Sequence, residues 1–222
     1  MGRAERSHRV TPSYIAVEGA IGVGKTTLAR RLAETLDATL LLEQPDDNPF
    51  LPRFYRDPAA SAFATQMTFL LQRAGQVERL HQRDLFARHC VADFMFEKDR
   101  LFAELTLSPP DLSLYLKVFE RLSFELPRPD RLLYLTAPVE LLMSRIARRG
   151  REYEDPIEPS YLEGLSEAYV RWFRTSCDVP VIEVDTSRID LVNSDADYAA
   201  LVAALERDAV PRMLRLPDDA LL

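Results

Sequence analysis

Cysteine is nearly absent: Cys90 and Cys177 are the only two in 222 residues. Two isolated thiols make no disulfide framework and show no metal-ligand spacing, so both are expected as buried free thiols in a reducing compartment. Basic residues are also in deficit, 28 Lys and Arg against 35 Asp and Glu, for a net charge of −7. A general nucleic-acid binder needs clustered cations that displace counterions, so small-molecule partners are expected instead. No apolar run is long enough to cross a bilayer, and the first nine residues are polar and basic. Gly2 follows Met1, but Arg6 stands where an N-myristoylation signal wants Ser or Thr. A soluble, cytoplasmic chain with no membrane partner is the expectation. Repeats, low-complexity tracts and linkers are missing too, so residues 1–222 read as one domain with a core over about 12–205. With 47% hydrophobic and 28% charged residues, the composition is that of an ordinary globular protein.

Glycine is scarce as well, seven in all, yet three crowd into one stretch. Gly19, Ala20, Ile21, Gly22, Val23, Gly24, Lys25 and Thr26 read G-x-x-x-x-G-K-T, followed by Thr27. A strand-like run precedes them, and Leu28, Leu32 and Leu36 follow at helical spacing. Strand, loop and helix in that order are the context a phosphate-binding loop requires. Its glycines turn backbone N–H groups toward a polyphosphate, and the helix N-terminus adds positive potential. Lys25 would reach the β- and γ-phosphates and the Thr26 hydroxyl would ligate Mg²⁺. A nucleoside triphosphate is therefore the expected ligand.

Short apolar runs at 14–17, 39–42, 89–92, 131–135 and 181–184 alternate with helix-like segments. That alternation predicts an α/β fold with a five-stranded parallel sheet and helices on both faces. The longest helix is expected over 59–87, with Phe63, Met67, Leu70, Leu71, Ala74 and Val77 on its apolar stripe. Another amphipathic run covers 112–124 after Pro109-Pro110. Between Pro138 and Gly150, residues 139–149 read as one helix.

A phosphate loop alone serves GTPases, motors and small-molecule kinases. No N-K-x-D sequence is present to read guanine, and 222 residues leave little room for a motor's modules. Arg145, Arg148, Arg149 and Arg151 cluster after the fourth strand, and Arg145 and Arg149 share a helix face. Such arginines can close over a γ-phosphate, although a solvated basic helix end would show the same pattern.

Several further motifs then fall in one order. They are Leu-Leu-Glu43-Gln-Pro, Asn48-Pro-Phe-Leu-Pro-Arg-Phe-Tyr55-Arg-Asp-Pro58, Gln66-Met-Thr-Phe-Leu-Leu-Gln-Arg73 and Arg145-Ile-Ala-Arg-Arg-Gly-Arg-Glu-Tyr-Glu154. With the phosphate loop, these make the chain from about residue 14 to 190 resemble the bacterial deoxynucleoside kinases, the deoxyadenosine, deoxyguanosine and deoxycytidine kinase group. The resemblance implies a P-loop kinase fold with an arginine-rich lid over about 145–160. Gln44 separates Glu43 from Pro45, where many relatives have Glu-Pro directly.

The resemblance also implies roles. Glu43 would bond the nucleoside 5′-hydroxyl and serve as general base, with an exposed loop acid as the plainer alternative. Gln66 and Arg73, seven residues apart, would contact the base over an aromatic floor for which Phe102 is the candidate. From spacing alone those two are boundary residues of a core helix. Tyr55 and Glu154 would hold the deoxyribose 3′-hydroxyl, with a packed aromatic and a solvated lid acid as the plainer alternatives. Asp93 fits the family's acid after the third strand, as Mg²⁺ ligand or competing base, or else as a simple strand-end cap. Phe94 stands where relatives carry arginine, so a cation is missing, and Arg73 or Arg100 are the replacements in view. The run ending in Arg188 and Asp190 resembles the loop that packs on the donor's adenine.

Together these imply ATP- and Mg²⁺-dependent transfer to a 2′-deoxynucleoside, with purines favoured, and Lys25, Arg145, Arg149 and Arg151 stabilising the transferred group. The resemblance implies a homodimer, with the helix over 59–85 as candidate interface, although its apolar stripe could equally pack internally. The rivals are a thymidylate-kinase-like monophosphate kinase and a nucleotide-binding subunit without catalysis.

Overall fold

A computed structural model of the chain describes residues 13–83, 89–122, 128–207 and 212–217. The basic N-terminal residues, the ends of the helices expected to reach 87 and 124, and the side chain of Val77 lie outside the described residues.

All five expected strands form: β1 (Tyr14–Gly19), β2 (Thr39–Leu41), β3 (Cys90–Ala92), β4 (Arg131–Thr136) and β5 (Val181–Asp185). A sixth, β6 (Met213–Leu216), pairs in parallel with the edge of β5. Its Met-Leu-Arg-Leu sequence is short and half-buried, as an edge strand can be, and so lacks the continuous apolar signal of the inner five. The order across the sheet is β2-β3-β1-β4-β5-β6, all parallel. Ile15, Ala16 and Val17 of β1 are consecutive and fully buried, so both faces of the sheet are covered.

The cover comes from helices whose apolar faces meet the sheet. In α1 (Lys25–Leu36), Leu28, Ala29, Leu32 and Ala33 are buried, and Leu36 packs half-buried at the core's edge. Between β2 and β3 lie α2 (Leu51–Phe54) and the long α3 (Pro58–Arg83). α4 (Lys98–Thr106) and α5 (Pro109–Leu122) pack against α3. Leu70 of α3 is fully buried with Phe63, Met67 and Ala74 packed around it, whereas Leu71 is 56% exposed. One residue is about 100° of helix rotation, which carries Leu71 off the stripe assigned to it.

After β4, α6 (Val139–Arg149) ends where the sequence placed it, with Gly150 in the left-handed conformation bonding Ile146 O. α7 (Pro159–Thr175) and α8 (Asp195–Leu205) complete the fold. β1 lies between β3 and β4, so the chain crosses over it between those two strands. That crossing opens a crevice beyond the carboxyl ends of the strands.

Candidate active site

The crevice is one cavity of about 1500 Å³. The candidate residues named from the sequence line it, except Gly19 and Ala20 at the root of the loop and Arg100 on the surface. Gly19, Gly22 and Gly24 all have positive φ, and a Cβ on Gly19 would overlap the Leu135 carbonyl oxygen. At Gly19 the loop thus runs against β4 with no room for a side chain. Lys25 Nζ donates to Gly19 O (2.8 Å) and Ala20 O (3.1 Å), folded back over the space a polyphosphate would fill. Burial, followed by the like charge of Lys98, lowers its pKa to about 8.

At the floor, Thr26 Oγ1 donates to Asp93 Oδ2 (2.5 Å), and Asp93 Oδ1 accepts from the Glu43 backbone N–H (2.7 Å). Asp93 is buried and tied both to the start of α1 and to the loop after β2, more than a strand-end cap. Among the described residues no group of three or more His, Cys, Asp or Glu could hold a metal. A hydroxyl and one carboxylate still suit Mg²⁺, which completes its shell with phosphate oxygens and water.

Glu43 sits two residues past the end of β2 and points into the cavity. One carboxylate oxygen accepts from Arg73 and the other from Lys98 Nζ at 3.2 Å. Burial alone would raise its pKa, but the charges of Lys98, Arg73 and Lys25 outweigh burial and hold it well below the usual carboxylate range. Glu43 is not an exposed loop acid. The second guanidinium nitrogen of Arg73 pairs with Asp99, which is fully buried. Gln66 and Arg73 are themselves buried, because the polar edge of α3 faces the cavity and not solvent. Gln66 Nε2 donates to Thr106 Oγ1 (3.2 Å), and Phe102 lies beside it on α4. Gln44 accepts from Gln76 Nε2 (3.1 Å), so the extra residue before Pro45 fastens the loop to α3.

Two cations, Arg73 and Lys98, reach the Glu43 carboxylate. Arg100 takes no part: it forms an exposed pair with Glu104. Phe94 is buried, its ring 5.6 Å from the Arg73 guanidinium carbon. Sequence reasoning overlooked Lys98 and Asp99 because Glu97-Lys98-Asp99-Arg100 looks like a solvated helix start. Only their burial gives them away.

Over the cavity, Arg149 bonds Glu154 Oε2 through Nε (3.0 Å) and Nη2 (2.5 Å). Arg151 reaches Glu154 Oε1 (3.6 Å) and Asp46 Oδ2 (2.9 Å), and Tyr153 OH donates to Asp46 Oδ1 (2.5 Å). Glu154 is buried between the two arginines, not solvated. Tyr55 stacks on Tyr153 with ring centroids 6.4 Å apart, and burial raises its hydroxyl pKa, so it remains a hydrogen-bond donor. Arg145 is placed differently from the other two: it donates to Val23 O (3.1 Å) and to Thr186 Oγ1 (2.8 Å) and O (2.9 Å). It clamps the phosphate loop to the loop after β5. There Arg188 lines the cavity, and the Asp190 carboxylate accepts from Val192 N and Asn193 N within its own turn.

A sequence profile described as deoxynucleoside kinase matches residues 15–210. Among curated proteins, the deoxyguanosine kinase of Bacillus subtilis is 35% identical over 198 residues, covering 87% of this chain and 96% of its own. The deoxyadenosine/deoxycytidine kinase of the same organism is 32% identical, covering 86% and 90%. Among solved structures, deoxyadenosine kinase from M. mycoides with bound dCTP superposes with a TM-score of 0.73 at 23% identity, over 86% of this chain and 98% of that one.

Proposed function

This chain belongs to the deoxynucleoside kinase family, and on that premise we propose that it transfers the γ-phosphoryl group of ATP, with Mg²⁺, to the 5′-hydroxyl of a purine 2′-deoxynucleoside. One observation carries the assignment of sides within the cavity. Glu43, fixed by two cations, faces the phosphate loop and Lys25 across a space that holds both substrates. The purine preference follows the curated relatives, a deoxyguanosine kinase and a deoxyadenosine/deoxycytidine kinase, which have a purine deoxynucleoside in common as acceptor class.

Phosphoryl transfer passes through a loose transition state, so the protein's task is positioning and charge stabilisation. Glu43, held ionised far below neutral pH, accepts a hydrogen bond from the 5′-hydroxyl and aims O5′ at the γ-phosphorus. It receives the proton late, when bonding to phosphorus has already acidified the hydroxyl. Lys25 leaves its carbonyl partners for the β- and γ-phosphates. Arg149 and Arg151 exchange Glu154 and Asp46 for the equatorial oxygens of the transferred group, which releases Glu154 to join Tyr55 on the 3′-hydroxyl. Arg145 positions the phosphate loop, and Arg188 and Asp190 border the donor base. Bound Mg²⁺ supplies neutralisation of phosphate charge, with Thr26 and Asp93 as its protein ligands. Gln66 reads the base edge and Phe102 offers a face for stacking.

Residues 12–205 act as one domain and 145–160 as its lid. No helix among the described residues is long and apolar enough to cross a membrane. A homodimer through α3 and α5 would cover Leu71 and Leu114, both more than half exposed. Sedimentation of the L71E/L114E variant as a monomer, against a dimeric parent, tests that arrangement. The reaction itself is tested with ATP and Mg²⁺ against the four deoxynucleosides, adenosine and dTMP. Deoxyguanosine or deoxyadenosine should turn over fastest; turnover of dTMP alone would overturn the assignment.

A further inference from the structure

Lys98 is out of place by every local rule. It is the first residue of α4, where the helix dipole opposes a positive charge, and it is only 5% exposed. A buried lysine needs a partner, and its Nζ lies 3.2 Å from Glu43 Oε2 and 5.5 Å from the Phe102 ring centroid. The other Glu43 oxygen belongs to Arg73, whose second nitrogen is committed to Asp99. Phe94 packs against that same guanidinium, so an arginine at position 94 would set a like charge beside Arg73.

We infer that Lys98 takes over the work of the arginine missing at position 94, as the positioning residue that fixes the Glu43 carboxylate toward the acceptor hydroxyl. The inference rests on Glu43 being the acceptor-side acid. The cation sits four residues further along the chain, at the start of α4 instead of just past the end of β3, and reaches the carboxylate from the helix instead of the strand. Arg73 is thereby left to bridge Glu43 and Asp99, and a flat aromatic wall fills the vacated place. Each carboxylate oxygen of Glu43 then has one cation, so the group cannot rotate away from the cavity without breaking a buried pair.

The test compares kcat and KM of the wild type, K98M, K98R, E43Q and E43Q/K98M, with thermal unfolding as a check on folding. K98M should lower kcat about 100-fold, the cost of a roughly 1 Å misplacement, with KM for ATP within about threefold. K98R should recover most of that loss, because it restores a cation at the same reach. In the E43Q background, K98M should cost less than about twofold more, since its effect passes through Glu43. Should K98M fail to fold, K98Q carries the same comparison with a neutral polar end. A K98M enzyme within about twofold of wild-type kcat, a defect confined to KM for ATP, or losses that multiply fully in the double variant would each overturn the role. A wild type that phosphorylates no deoxynucleoside would instead overturn the reaction assigned to the site.

Discussion

ATP affinity should fall as pH rises from 7 to 9, and Lys25 fixes the size of the fall. In the free protein its ammonium is crowded by burial and by Lys98, which bring it down to about 8 from the ordinary 10.5. Phosphate oxygens arriving at Nζ favour the charged form and return it to its ordinary value or above. The ligand then binds the protonated state more tightly, and binding takes up a proton wherever the free protein has lost it. At pH 7 about nine-tenths of Lys25 is already charged, so almost nothing is lost. At pH 9 only about one-tenth is charged, and the apparent Kd rises about tenfold, or ~1.4 kcal/mol. Calorimetric titration with MgATP in buffers of different ionisation enthalpy reads both the affinity and the proton uptake. K25R, always charged, should show a flat profile over the same interval whatever its absolute affinity. A wild-type Kd constant from pH 7 to 9, or a K25R slope equal to that of the wild type, would refute this account.

Two further outcomes follow from the geometry of the phosphate loop and floor. Gly19→Ala adds a Cβ against the Leu135 carbonyl at positive φ, whereas Gly24→Ala meets open space and bears backbone strain alone. The first should lose ~3–5 kcal/mol and about 6–15 °C in Tm, the second ~1–2 kcal/mol; equal shifts in thermal melts would show that the close approach to β4 is not what demands glycine. Asp93→Asn removes the carboxylate shared by Thr26 and the Glu43 backbone, and should raise the Mg²⁺ concentration for half-maximal rate about 10–100-fold; an unchanged Mg²⁺ dependence would remove Asp93 from the metal site.

The phosphate loop could be read in advance because its eight residues are contiguous and each is constrained by the local backbone. Gly19, Gly22 and Gly24 have positive φ, and Lys25 opens α1 immediately after them. The inner strands were legible for a related reason: a strand covered on both faces must be apolar throughout, as 15–17 and 132–135 are. Edge strand β6, half in solvent, carries no such signature.

Charged residues are where the sequence was silent. Arg100 and Lys98 are two positions apart, yet one is paired on the surface and the other is buried on Glu43. Arg145 shares a helix face with Arg149, but three hydrogen bonds to Val23 and Thr186 commit it to the loops while Arg149 remains with the lid. What the chain determined by itself was the class of ligand and the layered fold, because both are written in local spacing and periodicity. What only the tertiary structure decided was the partnership around Glu43. Its cations come from α3 and α4, 30 and 55 residues away, and they meet because β3 lies between β1 and β2. Coulomb interactions of that kind depend on distance and burial, and a one-dimensional sequence encodes neither until the sheet has set its order.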